Sequence, residues 1–257
     1  MNTKRLLFVA TLLLCLSMVP FTDATAQAAK GKQPTYVLVH GAWGGSWAFK
    51  KVDSMLTAKG YLVYRPSLTG QGERVHLASQ DINLTTHIND VVNMILFEDL
   101  HDVILMGHSY GGMVVTGVAD RVPDRIKRLV YLDAFVPNDG ESAFSAQGSQ
   151  ADGMKRMEKD GFLVPAWVKA DQKPPMDVPH PIKTLTEPIS LKNAAARQIP
   201  ATYILTVDPG KKPEEDGFFK YSERAKQRGW NHIQMTADHN PQWSKPAELA
   251  ELLDKAK

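Results

Sequence analysis

The sequence predicts an α/β fold: a mostly parallel sheet of about six strands with helices on both faces and a small cap insertion. Three observations predict it. Short apolar, β-rich runs alternate with segments of helical spacing along most of the chain. That alternation breaks once, over residues 138–198, and then resumes. One run leads directly into Gly107-His108-Ser109-Tyr110-Gly111, a G-x-S-x-G sequence set between a strand and a helix.

The first residues stand apart from this pattern. Lys4 and Arg5 precede an apolar run, Leu6 to Val19, and Ala24-Thr25-Ala26 has the small-x-small form of a cleavage site. These features predict a secretory signal peptide over 1–26 and a domain over 27–257. The run is shorter than the roughly 20 residues a membrane-spanning helix needs, so no membrane anchor is expected in the mature protein. A periplasmic or secreted bacterial protein is the expectation. Cys15 is the sole cysteine, so cleavage would leave neither a disulfide nor a thiol nucleophile. With 30 Lys+Arg against 28 Asp+Glu and a net charge of +2, the mixed charges form no basic patch and no nucleic-acid partner is expected.

In chain order, Thr35–Val39 reads as a buried strand and ends in the glycine-rich His40-Gly41-Ala42-Trp43-Gly44-Gly45-Ser46-Trp47. Val52, Met55 and Leu56 mark a helix over 48–59, closed by Gly60. Tyr61–Tyr64 is the next strand, stopped by Arg65-Pro66, and residues 67–80 read as a loop. Apolar residues at 84, 88, 91, 92, 95 and 96 mark a second helix. The strand at 102–106 feeds the Ser109 turn and the helix after it, and Pro123 precedes a strand within 126–132. In the 138–198 cap, glycines and prolines separate short pieces bearing aromatic residues. Strands at 202–207 and 230–235, a helix before Gly229 and a closing helix from Pro246 complete the chain.

Ligand sites in such sheets lie at the carboxyl ends of the strands. Ser109, Asp133, Asp208 and His239 all fall at such ends. Ser109 is the expected nucleophile, since the elbow exposes its hydroxyl, and it needs a general base. His239, after the last strand, is the expected base; His40 and His108 are expected to shape the site. The acid that orients the base is Asp133 or, alternatively, Asp208. Asp133 is favoured because a charge in the apolar frame Val130–Val136 is costly without a partner, whereas Asp208 before Pro209-Gly210 suits an ordinary turn.

An oxyanion hole needs two backbone donors, expected from Tyr110 and Ala42. Trp43, Trp47, Phe135, Phe144 and Trp167 are expected to wall a substrate pocket, with Tyr110 beside them. No cofactor or metal is expected: the sequence has no H-E-x-x-H and no cysteine–histidine ligand spacing, and G-A-W-G-G lacks a dinucleotide fingerprint.

His40–Trp47, Pro66–Arg74, Gly107–Gly112 and Leu132–Pro137 resemble the α/β-hydrolase superfamily over nearly all of 35–256. The resemblance is to its bacterial carboxylesterase branch, related to plant methyl-salicylate esterases and hydroxynitrile lyases. It implies Ser109 as nucleophile, His239 as base, and the Ala42 and Tyr110 amides as oxyanion donors. It leaves the acid open, because the plant enzymes place it near Asp208 and other members at the Asp133 location. The lyases carry a threonine at the Gly41 position and a lysine at the Asn240 position, so ester hydrolysis is the implied reaction. The substrate expected is a small to medium apolar or aromatic ester. A lactonase or lyase-like enzyme using the same residues, and a non-catalytic binding protein on the same scaffold, are the alternatives.

Overall fold

A computed structural model describes residues 34–255 except residue 170. The expected leader, residues 1–26, lies outside them.

The main elements run β1 (Thr35–Val39), α1 (Lys50–Ala58), β2 (Leu62–Tyr64), α2 (Leu84–Phe97), β3 (Val103–His108), α3 (Gly111–Arg121) and β4 (Ile126–Leu132). The cap holds α4 (Ala143–Gln147), α5 (Ala151–Lys155), β5 (Glu158–Lys159), β6 (Phe162–Leu163), β7 (His180–Pro181) and α6 (Lys183–Thr186). The chain closes with β8 (Ala201–Val207), α7 (Phe219–Gln227), β9 (Asn231–Thr236), α8 (Pro241–Ser244) and α9 (Pro246–Lys255). Six strands form one sheet in the order β2-β1-β3-β4-β8-β9, and every pairing is parallel.

Side chains alternate across a strand, so a sheet covered on both faces needs apolar residues at successive positions. β1 shows this directly. Tyr36 and Leu38 join Val52, Leu56, Leu249 and Leu253 of α1 and α9 on one face. Val37 and Val39 join Ile88, Val91, Met113 and Tyr221 of α2, α3 and α7 on the other. Tyr36 also donates its hydroxyl to the Leu253 carbonyl at 2.8 Å, tying β1 to the last helix. α2 starts at a capping box in which Asn83 accepts from the Thr86 N–H at 2.9 Å.

The cap is more mixed than the short helical pieces its sequence suggests. β5, β6 and β7 form a small antiparallel sheet, whose two-residue strands leave no periodic signal. The cap is sewn to the loop after β1 by the Val178 N–H to the Trp43 carbonyl (2.9 Å) and by Trp43 Nε1 to the Leu163 carbonyl (3.1 Å).

Close backbone approach fixes the glycines around Ser109. A Cβ on Gly111 would lie 2.8 Å from the Val39 carbonyl oxygen, and one on Gly112 would overlap the carbonyl oxygen of Phe135. Gly112→Ala is therefore expected to destabilise the fold by about 3 kcal/mol in denaturant titrations. Gly153→Ala, whose added Cβ would meet only the Arg156 guanidinium at 3.7 Å, should be neutral or stabilising by less than about 1 kcal/mol.

Candidate active site

β3 ends at His108, and α3 begins at Gly111, so the chain must reverse within two residues. Ser109 makes that turn at φ +54, a left-handed conformation uncommon for a residue with a side chain. The strain is held by three backbone bonds. Ser109 N–H donates to the Leu132 carbonyl (3.2 Å), and its own carbonyl accepts from Gly112 and Phe135 (both 3.1 Å). Such strain persists only where the surroundings over-determine it.

The next residue after β4, Asp133, is also left-handed (φ +42) and has no exposed surface. Its N–H donates to the Ile204 carbonyl at 2.8 Å. Its Oδ1 accepts from the Thr206 N–H at 3.3 Å, and its Oδ2 accepts from His239 Nδ1 at 2.6 Å. Because a carboxylate can only accept, His239 Nδ1 is the donor in this bond. Asp208 takes a different course: its carboxylate pairs with Lys211 Nζ at 2.6 Å on the surface, and it does not meet His239. Both aspartates end adjacent strands, but only Asp133 turns inward.

Ser109 and His239 line one cavity of about 390 Å³, together with Ala42, Trp43 and Trp167. Among the described residues no direct hydrogen bond joins the serine hydroxyl to the His239 ring, an arrangement common in unliganded sites. The loop after β1 is pressed against the serine: a Cβ on Gly41 would lie 3.0 Å from Ser109 Cβ. The N–H of Trp43 (φ +64) donates to His180 Nδ1 at 3.3 Å. No acceptor among the described residues takes the N–H of Ala42 or of Tyr110.

The other expected pocket residues separate from these. Trp47 stacks on Trp243 (5.3 Å between centroids, 11° between planes), Phe135 packs against Phe218 (5.4 Å, 89°), and Phe144 is buried in the core. None of the three lines the cavity. The same apolar character that suggests a pocket wall also buries a side chain wherever helices cover it. A second cavity of about 420 Å³ lies among α3, β4 and residues 191–197 and contains none of the site residues.

Several contacts have no clear sequence signal. Phe218 stacks on the His239 ring (4.9 Å, 11°), and Asp177, Gln242 and Trp243 line the cavity. His108 Nε2 donates to the His239 carbonyl at 2.7 Å, which ties the loop carrying His239 to the serine elbow. Only its place beside Ser109 hinted at such a role. His40 holds the other loop, with Nδ1 donating to the Gly41 carbonyl (2.7 Å) and Nε2 accepting from the Leu68 N–H (3.1 Å).

These structural histidines are neutral. Burial lowers His40 to about 4 and His87 to about 3. Burial, reinforced by the nearby His239 and His87 respectively, holds His108 and His180 well below the ordinary imidazole range. Among the described residues no group of three or more His, Cys, Asp or Glu is placed to hold a metal ion, and no helix is long and apolar enough to cross a membrane.

The fold and the Ser109 elbow define a hydrolase class, and the chain belongs to the alpha/beta hydrolase family, whose model matches residues 36–252. Among particular relatives, it is 37% identical to the carbendazim hydrolyzing esterase of Nocardioides sp. (strain SG-4G) over 238 residues, covering 85% of this chain and 97% of that protein. It is 32% identical to methylesterase 2 of Arabidopsis thaliana over 109 residues, 42% of this chain and 41% of that protein. Among solved structures it is similar to an extracellular alpha/beta-hydrolase from a Paenibacillus species, with a TM-score of 0.74, 27% identity, and coverage of 87% and 98% of the two chains. Family and relatives together support hydrolase activity of the carboxylesterase type.

The neutral histidines set a pH dependence for stability. In the unfolded chain each titrates near 6.5. Below that pH the unfolded state binds protons that the folded state refuses, so stability present above 6.5 is lost as the pH falls, toward about 4 for His40 and about 3 for His87. Unfolding free energies measured by denaturant titration should fall below pH 6.5 with a slope approaching about 1.4 kcal/mol per pH unit for each such histidine. A flat profile from pH 7 to about 4.5 would contradict neutral burial.

Proposed function

We propose that this protein is a serine-dependent carboxylic ester hydrolase that acts on small to medium apolar or aromatic esters through an acyl-enzyme. The observation that carries the reading is the 2.6 Å pair between His239 Nδ1 and buried Asp133, in a cavity shared with Ser109. The relative named for carbendazim hydrolysis supports an ester-type substrate.

In this reading His239 Nε2 takes the Ser109 proton as Oγ attacks the ester carbonyl. The oxyanion is received by the Ala42 and Tyr110 N–H groups, each such donor being worth roughly 3 kcal/mol. The alcohol leaves with the proton from His239, and water, activated by the same ring, releases the acid. Asp133 keeps the ring in the correct tautomer and stabilises the imidazolium. Trp43 and Trp167 offer an apolar wall to the substrate. Gly41 places no hydroxyl beside Ser109, and Asn240 no cation beside His239, which favours hydrolysis over cyanohydrin cleavage.

Ser109→Ala should abolish turnover of a chromogenic short-chain ester with circular dichroism unchanged, and Asp133→Asn should lower kcat by about 10⁴-fold. Asp208→Asn should leave kcat unaltered. Full activity in Ser109→Ala would overturn the reading, and a large loss in Asp208→Asn would reassign the acid.

We further propose that residues 1–26 direct export to the periplasm or medium and are then removed, leaving 27–257 as the working domain. Intact-mass and N-terminal sequencing of the exported protein should place its first residue at Gln27; a mature chain that retains Lys4 and Arg5 would contradict cleavage.

A further inference from the structure

The His239 ring has two neighbours that meet it in different directions. Asp133 reaches the edge of the ring, at Nδ1. Phe218 lies against its face, with centroids 4.9 Å apart and planes 11° apart. Phe218 does not line the cavity over Ser109, so it offers no surface to a substrate there. The His108 ring is also close to His239, 4.7 Å away and tilted by 41°, but burial keeps it neutral. The flat contact on the imidazole face therefore belongs to Phe218.

Contacts on its backbone and on its ring hold Phe218 in this pose. Its N–H donates to Asp216 Oδ1 at 2.7 Å. The rings of Phe135 and Tyr221 pack against it at 5.4 and 5.8 Å. Asp216 is half-buried, and no lysine or arginine among the described residues pairs with it. Burial, and then the charge of Asp133, push its carboxyl above the ordinary range. A carboxylate is costly in such a place, and its bond to the Phe218 N–H fixes where the aromatic ring stands. An aromatic face carries negative potential and attracts a cation within about 6 Å of its centroid. In the ester-hydrolase reading, His239 is positive only while it holds a proton in transit. The Phe218 face then binds the transition state more strongly than the resting enzyme, which is the condition for raising kcat.

Resting on the ester-hydrolase reading above, we propose that Phe218 is a positioning residue for that reaction: its ring face stabilises the His239 imidazolium, and Asp216 sets the ring in place. Both halves of the reaction draw on it. In the first, His239 takes the Ser109 proton as Oγ bonds to the ester carbonyl carbon, and passes it to the alcohol oxygen as the carbon–alkoxy bond breaks. In the second, His239 takes a proton from water as the water oxygen bonds to the acyl carbon, and returns it to Ser109 Oγ as that bond breaks. Phe218 forms no bond in either half. It stabilises the charge that His239 carries in both, through the ring face, while Asp133 does so through the ring edge. A saturated side chain in its place would fill the space without supplying that face.

The test is steady-state hydrolysis of 4-nitrophenyl acetate, with the rate at which a fluorophosphonate labels Ser109 as a second measure of His239 acting as base. Phe218→Leu, checked for folding by circular dichroism, should lower kcat about fivefold with little change in KM. Pentafluorophenylalanine at 218 keeps the ring shape but reverses the sign of its face, and should lower kcat at least as far. Phe218→Tyr, which keeps an aromatic face, should recover most of the loss. Labelling rates should follow the same order. Asp216→Ala should lower kcat, and adding it to Phe218→Leu should cost nothing further, because the two act as one unit. Asp216→Asn keeps an acceptor for the Phe218 N–H and should recover activity. A fluorinated enzyme with wild-type kcat, or a Phe218→Leu variant altered only in KM, would overturn the proposal while leaving the ester-hydrolase reading intact. Additive losses in the double variant would overturn the part assigned to Asp216. If the wild type neither hydrolyses the ester nor takes the label at Ser109, the ester-hydrolase reading itself falls.

Discussion

A carboxylate with no exposed surface, Asp133, sets the terms for the rest of the site. Removing a charge from water costs several kcal/mol unless hydrogen bonds replace the lost hydration. Asp133 finds its replacements on the neighbouring strands. The order β4-β8-β9 puts the end of β4 beside Thr206 of β8 and the loop that follows β9. The Thr206 N–H and His239 Nδ1 therefore arrive at its two oxygens as a consequence of parallel pairing. The left-handed turn at Asp133 is the local cost of aiming the side chain inward.

Around this contact the loops are held by histidines that carry no charge. His108 joins the serine elbow to the His239 loop, and His40 braces the glycine loop against Leu68. His87 Nδ1 accepts from the Tyr110 hydroxyl at 3.0 Å while its Nε2 donates to the Thr69 carbonyl at 2.9 Å. An imidazole suits these places because it offers one donor and one acceptor in a rigid plane. Burial keeps each one neutral. The cap contributes His180, which takes the Trp43 N–H and leaves that of Ala42 free. Cap and glycine loop thus form one unit.

The legibility of the chain followed the range of its interactions. The six strands of the main sheet and the helices on its faces rest on apolar periodicity, which is local, and the structure places them where that periodicity does. The two-residue strands β5, β6 and β7 are held by pairing with distant partners and carry no such pattern. Trp47, Phe135 and Phe144 show the same limit in side chains. Their apolar character is evident in the sequence, but the helices packed over them decide whether they face a cavity or the core. Gln242 and Asp177 reach the cavity from α8 and the cap, elements whose placement depends on the finished sheet.

By itself, the sequence determined the layered α/β architecture, the serine elbow and the end of the sheet where the site assembles. Each of these follows from short-range patterning and backbone sterics, which neighbouring residues specify. Only the tertiary structure shows which of Asp133 and Asp208 meets His239, because both end adjacent parallel strands. The difference lies in where each carboxylate points. Asp208 meets a lysine three residues away at the surface, and Asp133 meets a histidine 106 residues away in the interior. Contacts over that separation depend on strand order and side-chain direction, which exist only once the sheet has formed.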